Sequence, residues 1–342
     1  MTESTLTPSR TAAPLPPPRG PLSEAVVTAL RHPPGHPVPP AGADGADPFG
    51  DDLQAALYIC YELHYRGFDG VDADWEWDLG LLAFRAALER VFLGALRAGV
   101  PGGDDVAGTL DALLVEDLDA RGVSHHLKDE GAWWQMREYF VHRSLYHLKE
   151  ADPHAWLIPR LEGRAKASLV AVEFDEYGGG RAERVHARLF ADLLRGAGLD
   201  DGYLAYFDAV PAAALATVNM MSLFGLHRSL RAAMVGHFAA AEITTAPSAH
   251  RMAVALERFG AAPECVLFFT EHIEADAVHE QVLRRDVIGD LLDREPGLAA
   301  DVVFGVQATE LLEERLGGHL LASWRAGRSS LRAPLPDGPA AG

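Results

Sequence analysis

Residues 271–280 read Glu271-His272-Ile273-Glu274-Ala275-Asp276-Ala277-Val278-His279-Glu280. No proline or glycine interrupts them, and Phe268, Phe269, Val278 and Val282 supply apolar residues for packing. The segment therefore reads as a helix that is packed rather than fully solvated. At roughly 100° per residue, His272, Asp276 and His279 fall within about 60° of one another on one helix face. Two imidazoles and a carboxylate converging in this way make a half-site for iron, because these ligands suit it and leave coordination positions open. Burying the three without a compensating charge is costly, and a cation supplies that charge directly. In a chain with 15 histidines the same spacing also arises by chance.

Upstream lies a second acidic stretch: Glu173, Asp175 and Glu176, then Gly178–Gly179–Gly180, then Glu183 and His186. Glu183-x-x-His186 has the spacing of ferritin-like di-iron bundles. Glu176 stands ten residues before His186, across the glycines. No Gly-Lys-Ser/Thr follows, so this is not a phosphate loop. The acids are equally readable as solvated side chains beside an ordinary turn. Glu242 follows His237 and a run of small apolar residues, and Glu150 closes a helical stretch. Each can be a metal ligand or a surface acid.

The wider composition fits packed helices. Of the 342 residues, 48% are apolar, and strict alternation is scarce. With 49 acidic against 30 basic residues the net charge is −19, which disfavours nucleic acid and anionic membranes. Cys60 and Cys265 stand alone in apolar segments with no Cys-x-x-Cys, which excludes zinc-ribbon and thioredoxin chemistry. Two isolated thiols and no basic-then-apolar leader lead to the expectation of a cytoplasmic protein. The longest apolar run, Ala212 to Leu226, is interrupted by Thr217, Asn219 and Ser222.

Residues 1–48 are rich in proline and glycine and read as a disordered tail, as do residues 329–342. Between them a single all-helical domain is expected over 49–328, with a helical extension at 49–128 and a core at 129–328. Helices are expected from Asp51 towards Gly67, from about Leu81 to Gly99, and from Asp105 to Asp119. Further ones are expected up to Glu150, from Asp152 to Tyr177, and at 181–196, 211–224, 227–258, 263–293 and 298–324.

In order, Glu150, Glu176, His186, Glu242, His272, Asp276 and His279 resemble the ligand series of the haem-oxygenase-like di-iron oxidases, often labelled iron-containing redox enzymes. The steps are 26 residues from Glu150 to Glu176, ten on to His186, and 30 from Glu242 to His272. The final His-x3-Asp-x2-His is the family's most specific feature, and the resemblance covers about residues 130–325. The stretches Tyr61–Phe68 and Trp75–Asp78 look like the N-terminal extension of one branch of that family.

The resemblance implies an all-α, haem-oxygenase-like helical bundle with extra N-terminal helices. It implies two ferrous ions per chain, with nitrogen from His186, His272 and His279 and oxygen from Glu150, Glu176, Glu242 and Asp276. The activity implied is dioxygen-dependent oxidation of a small molecule, with an electron donor and a homodimer as associated expectations. Tyr177, Met220, Met221, Phe224, Phe238 and Phe269 are pocket or core residues on this reading. Arg164 and Lys166 are substrate anchors or surface charges. Three rivals stand beside it: a ferritin-like ferroxidase using Glu183, a metal-free thiaminase-type relative using a cysteine, and a non-enzymatic interaction protein.

Overall fold

The computed structural model describes residues 12–39, 42–116 and 121–336, without the side chains of 274–278. Its helices in chain order are α1 Pro21–Leu30, α2 Asp51–Glu62, α3 Leu79–Ala98, α4 Val106–Leu113, α5 Val123–Asp129, α6 Trp133–His147 and α7 Asp152–Ala155. They continue with α8 Gly163–Glu176, α9 His186–Gly196, α10 Ala212–Leu226, α11 Arg231–Phe259, α12 Pro263–Val282, α13 Gly289–Arg294 and α14 Ala299–Arg325. Among the described residues the only β-pairing is an isolated bridge between Ala13 and Phe68. The fold is an all-α helical bundle. No described helix is long and apolar enough to cross a membrane.

Local chemistry sets the helix ends. Asp78 accepts from Leu81 N at 2.9 Å to start α3, and Asp105 accepts from Gly108 N at 2.9 Å to start α4. Pro153 and Pro263 occupy first-turn positions of α7 and α12. Gly260, at φ +65°, closes α11 in the left-handed region.

α11 runs along α12 on one side and α14 on the other. The α11–α14 crossing is a backbone contact. A Cβ on Gly236 would collide with the carbonyl of Val302, and one on Gly305 with that of Ala233. Only a residue without a side chain fits either position, so Gly236→Ala or Gly305→Ala is expected to cost about 3 kcal/mol or more. Urea denaturation measures it. A loss below about 1 kcal/mol would mean that the two helices separate without penalty.

The structure corrects the expected disorder at both ends. In the N-terminal segment α1 buries Leu22, Val26, Val27 and Leu30. Its exposed first-turn amides are satisfied from another helix: Asp52 of α2 accepts from Leu22 N at 2.9 Å and from Ser23 N at 2.8 Å. The neighbouring prolines conceal a short amphipathic stripe that needs α2 to complete it. At the other end, Glu138 is fully buried on α6 and accepts from Trp324 Nε1 at 2.9 Å, Ser329 Oγ at 2.5 Å and Ser330 N at 2.9 Å. That carboxylate ties down the segment after α14, and Leu331 and Leu335 are buried. Residues 1–11 and 337–342 lie outside the described residues.

Several expected helices are also shorter than their periodicity suggests, α2 ending at Glu62 and α4 at Leu113. The stretch from Asp152 is broken by a turn at Ile158–Arg160 and by Gly163 at φ +57°. Residues 181–185 form tight turns, so α9 starts only at His186. The long 263–293 segment is divided by a π-turn at Leu283–Ile288, a feature that often accompanies functional sites.

Candidate metal centre

Five segments meet at the α8–α9–α11–α12 junction: the turn after α6 brings Glu150, α8 brings Glu176, α9 brings His186, α11 brings Glu242, and α12 brings His272 and His279. They form two groups that could hold metal ions. Glu150, His186 and His272 make one, and Glu176, Glu242 and His279 the other, with the donor atoms of each group within 4.8 Å of one another. All six side chains are buried.

The groups touch. His186 Nδ1 lies 2.9 Å from Glu176 Oε2, and the His186 and His272 rings have centroids 4.5 Å apart. His279 Nδ1 lies 3.2 Å from Glu242 Oε2 and 3.7 Å from Glu176 Oε1. Glu176 therefore faces both groups. The triple glycine makes this geometry: Gly178, Gly179 and Gly180 all have φ between +60° and +80°, a region other residues rarely adopt. A Cβ on Gly178 would meet the backbone of Arg184 and Val185 at 2.6 Å. The chain thus folds back tightly, and His186 is brought opposite Glu176.

The imidazoles are pre-oriented. His272 Nδ1 donates to Phe268 O at 2.7 Å, which leaves Nε2 with its lone pair, 3.7 Å from Glu150 Oε1. His279 Nε2 meets Asp175 Oδ2 at 3.2 Å, freeing Nδ1 for the Glu242–Glu176 side. His147 Nδ1 holds Glu150 Oε1 at 2.8 Å. Reasoning from sequence missed His147, although its i, i+3 spacing to Glu150 was the available signal.

The buried acids and imidazoles shift one another strongly. Burial alone would lower the His279 pKa, but Glu242, Glu176 and Asp175 outweigh it and push it up to about 9. Burial, with Glu176 and Glu242 nearby, pushes Glu173 up to about 9. Burial likewise raises Glu242, reinforced by Glu176 and opposed by His279. Burial would also raise Glu150, yet His147 and His272 hold it well below the usual carboxylate range. Among the described residues Glu150 Oε2 and both Glu173 carboxylate oxygens lack a hydrogen-bond partner. His186 Nδ1, though 2.9 Å from Glu176, is not in hydrogen-bond geometry with it. Burying this many carboxylates together is costly, and a cation bound among them would offset that cost. The mixed nitrogen and oxygen donor set suits ferrous iron.

Six of the seven expected ligands are thus brought together, and the Asp276 side chain lies outside the described residues. Glu183 is exposed and takes no part in either group, so the ferritin-like pairing with His186 is not built. The cysteines do not serve as a nucleophile for the thiaminase-type reading. Burial pushes Cys60 up to about 12 and Cys265 up to about 11, and neither lines the cavity. That cavity, of about 640 Å³, opens beside the metal centre and is lined by Glu150, Glu176, Glu242 and His272. Of the expected pocket residues Met221, Phe238 and Phe269 line it, whereas Tyr177, Met220 and Phe224 do not. Arg164 pairs loosely with Asp286 at 3.8 Å on the surface, and neither it nor Lys166 reaches the cavity.

A helical bundle enclosing paired histidine–carboxylate groups defines an iron-dependent redox protein. Residues 137–314, more than half of the chain, match the iron-containing redox enzyme family, and the chain belongs to it. It is also similar to the nitrosourea synthase of Streptomyces achromogenes subsp. streptozoticus, with 28% identity over 240 residues. That alignment takes in 67% of this chain and 50% of the relative, so the chain spans about half the relative's length.

Proposed function

We propose that the two groups hold two iron ions and that the protein is an oxidase or oxygenase, consuming dioxygen to oxidise a small molecule bound in the adjoining cavity. The observation that carries this reading is the contact between the groups. Glu176 stands between His186 of one and His279 of the other, where a carboxylate can serve both ions. Asp276, one helical turn from His272 in sequence, is the seventh ligand that the family resemblance implies. When bound, ferrous iron would supply electrons to dioxygen, to be restored between turnovers by the substrate or by an electron donor.

The chain's own residues do the rest. Phe268 O and Asp175 fix which nitrogen of His272 and His279 faces inward. His147 holds Glu150 Oε1 at 2.8 Å and so fixes the carboxylate that would be a ligand of one ion. Phe238, Phe268 and Phe269 line the cavity and keep bulk water from the reacting atoms. Glu173, whose pKa burial and the neighbouring Glu176 and Glu242 push up, is a buried acid beside the proposed ligands that could hold a proton there.

Anaerobic titration of metal-free protein with ferrous iron tests the reading. Uptake of about two equivalents per chain, followed by an absorbance change that depends on dioxygen, is the expected result. Uptake of one equivalent would remove the two-ion site. No uptake would leave the helical scaffold as an interaction protein.

A further inference from the structure

The cavity holds a second polar pair that the proposed iron ligands do not include. His154, in α7, and His237, on α11, are both about 1% exposed. Their rings stack at 5.4 Å with an interplanar angle of 24°, and His154 also lies flat on Phe238, 4.1 Å away. Both line the same cavity as Glu150 and His272.

Their hydrogen-bonding state can be worked out. The Thr309 hydroxyl has one proton, and it donates this to Gly305 O at 2.8 Å, an oxygen that can only accept. With that proton on Gly305 O, His237 Nδ1, 2.8 Å from the same hydroxyl, is placed to donate to it. Burial pushes the His237 pKa down to about 4, so the ring is neutral and its Nε2 carries a bare lone pair. His154 is kept neutral by burial and by His237 beside it, and so presents one N–H and one lone pair. Neither His154 nitrogen, nor His237 Nε2, has a hydrogen-bond partner among the described residues. Buried polar atoms of this kind are costly unless a ligand or water meets them.

We propose that this pair of histidines is the recognition site for a hydroxyl group on the substrate, which is an uncharged molecule with an apolar body. This rests on reading the cavity as the substrate chamber. A hydroxyl both donates, as His237 Nε2 requires, and accepts, as the His154 N–H requires. A carboxylate has no proton for His237 and would face Glu150. An ammonium group has nothing with which to accept. Met221, Phe238, Phe268, Phe269 and Leu320 give the cavity an apolar wall for such a body, while Arg143 on the same lining is already paired with Glu313 at 2.7 Å, and about 640 Å³ is the size of a small-molecule site.

Calorimetric binding of matched probes to the full-length chain under nitrogen tests this, with iron content measured on the same samples. The probes are 1-hexanol, its isostere 1-methoxypentane, hexanoate and hexylammonium. Wild-type protein is expected to bind the alcohol at least about tenfold tighter than the ether, with neither ion exceeding the alcohol. His237→Phe, similar in size but without the lone pair, is expected to bind alcohol and ether alike. Thr309→Val removes the acceptor that fixes the His237 tautomer. It is expected to cut the preference at least about threefold, and it decides the matter if His237→Phe fails to fold. Equal binding of alcohol and ether by the wild type would overturn the proposal, as would an undiminished preference in the variants or tighter binding of either ion. A sample that prefers the alcohol but takes up no iron would overturn the two-iron reading and leave this one standing.

Discussion

Glu176→Ala is expected to lower iron affinity at least about a hundredfold and to abolish dioxygen-dependent absorbance changes, whereas Glu183→Ala leaves both unchanged. Altering partners one shell out from a metal commonly costs 10–100-fold, and Glu176 is proposed as a direct ligand that serves both ions. Its carboxylate lies 2.9 Å from His186 and 3.7 Å from His279. Removal therefore leaves two imidazoles without a shared counter-charge. Glu183 is only three residues from His186 in sequence, yet its side chain is exposed. The two variants differ in what the fold does with each acid, not in residue type. Equilibrium dialysis against ferrous iron under nitrogen gives the affinity, and stopped-flow mixing with air gives the reaction. Loss of iron in Glu183→Ala with retention in Glu176→Ala would reverse the assignment in favour of the ferritin-like pairing.

The contrast between those two glutamates marks where the sequence stops being legible. His272 and His279 could be placed on one face because a single uninterrupted helix carries them, and helical spacing then fixes their relation. Glu150, Glu176 and Glu242 come from three other segments, and no periodicity relates one segment to another. Their order along the chain carried a family resemblance, but their convergence depends on backbone turns. Gly178–Gly180 turns α8 towards α9 through three positive φ angles, a route that three glycines permit but do not specify. α1 was missed for a similar reason: its cap is Asp52, 29 residues beyond Ser23, and prolines around it mimic a disordered composition. Glu138 gathers the C-terminal segment by the same kind of long-range bond. Local pattern thus gave the helical class, while turns and distant polar contacts decided which acids were buried.

Lys149→Met is expected to destabilise the chain by about 3–5 kcal/mol, the usual cost of leaving one partner of a buried ion pair alone. Lys149 and Glu62 are about 1% and 0% exposed, with Nζ 3.0 Å from Oε2. The ammonium lies over the rings of Tyr65 at 4.1 Å and Tyr58 at 4.6 Å. Tyr203 OH donates to both Glu62 oxygens, at 2.8 and 2.9 Å. Burial lowers the Lys149 pKa and Glu62 opposes that shift. The double variant Glu62→Leu with Lys149→Met removes both charges and is expected to recover most of the loss, since apolar replacement of a buried pair is often neutral. The effect extends to the metal centre. Glu150 follows Lys149 directly, and Ala151 then adopts φ +74°, a strained conformation that persists only where its surroundings hold it. Arg66, donating to Leu148 O at 2.9 Å, braces the same turn. Glu62 and Arg66 lie outside the family match at 137–314, yet they fix the backbone that carries Glu150. Iron affinity in Lys149→Met is therefore expected to fall by about tenfold or more at temperatures where the chain is still folded. Urea midpoints and iron dialysis on the two singles and the double form a cycle. Equal and additive losses with unchanged iron affinity would show that the pair only fills space beside the turn.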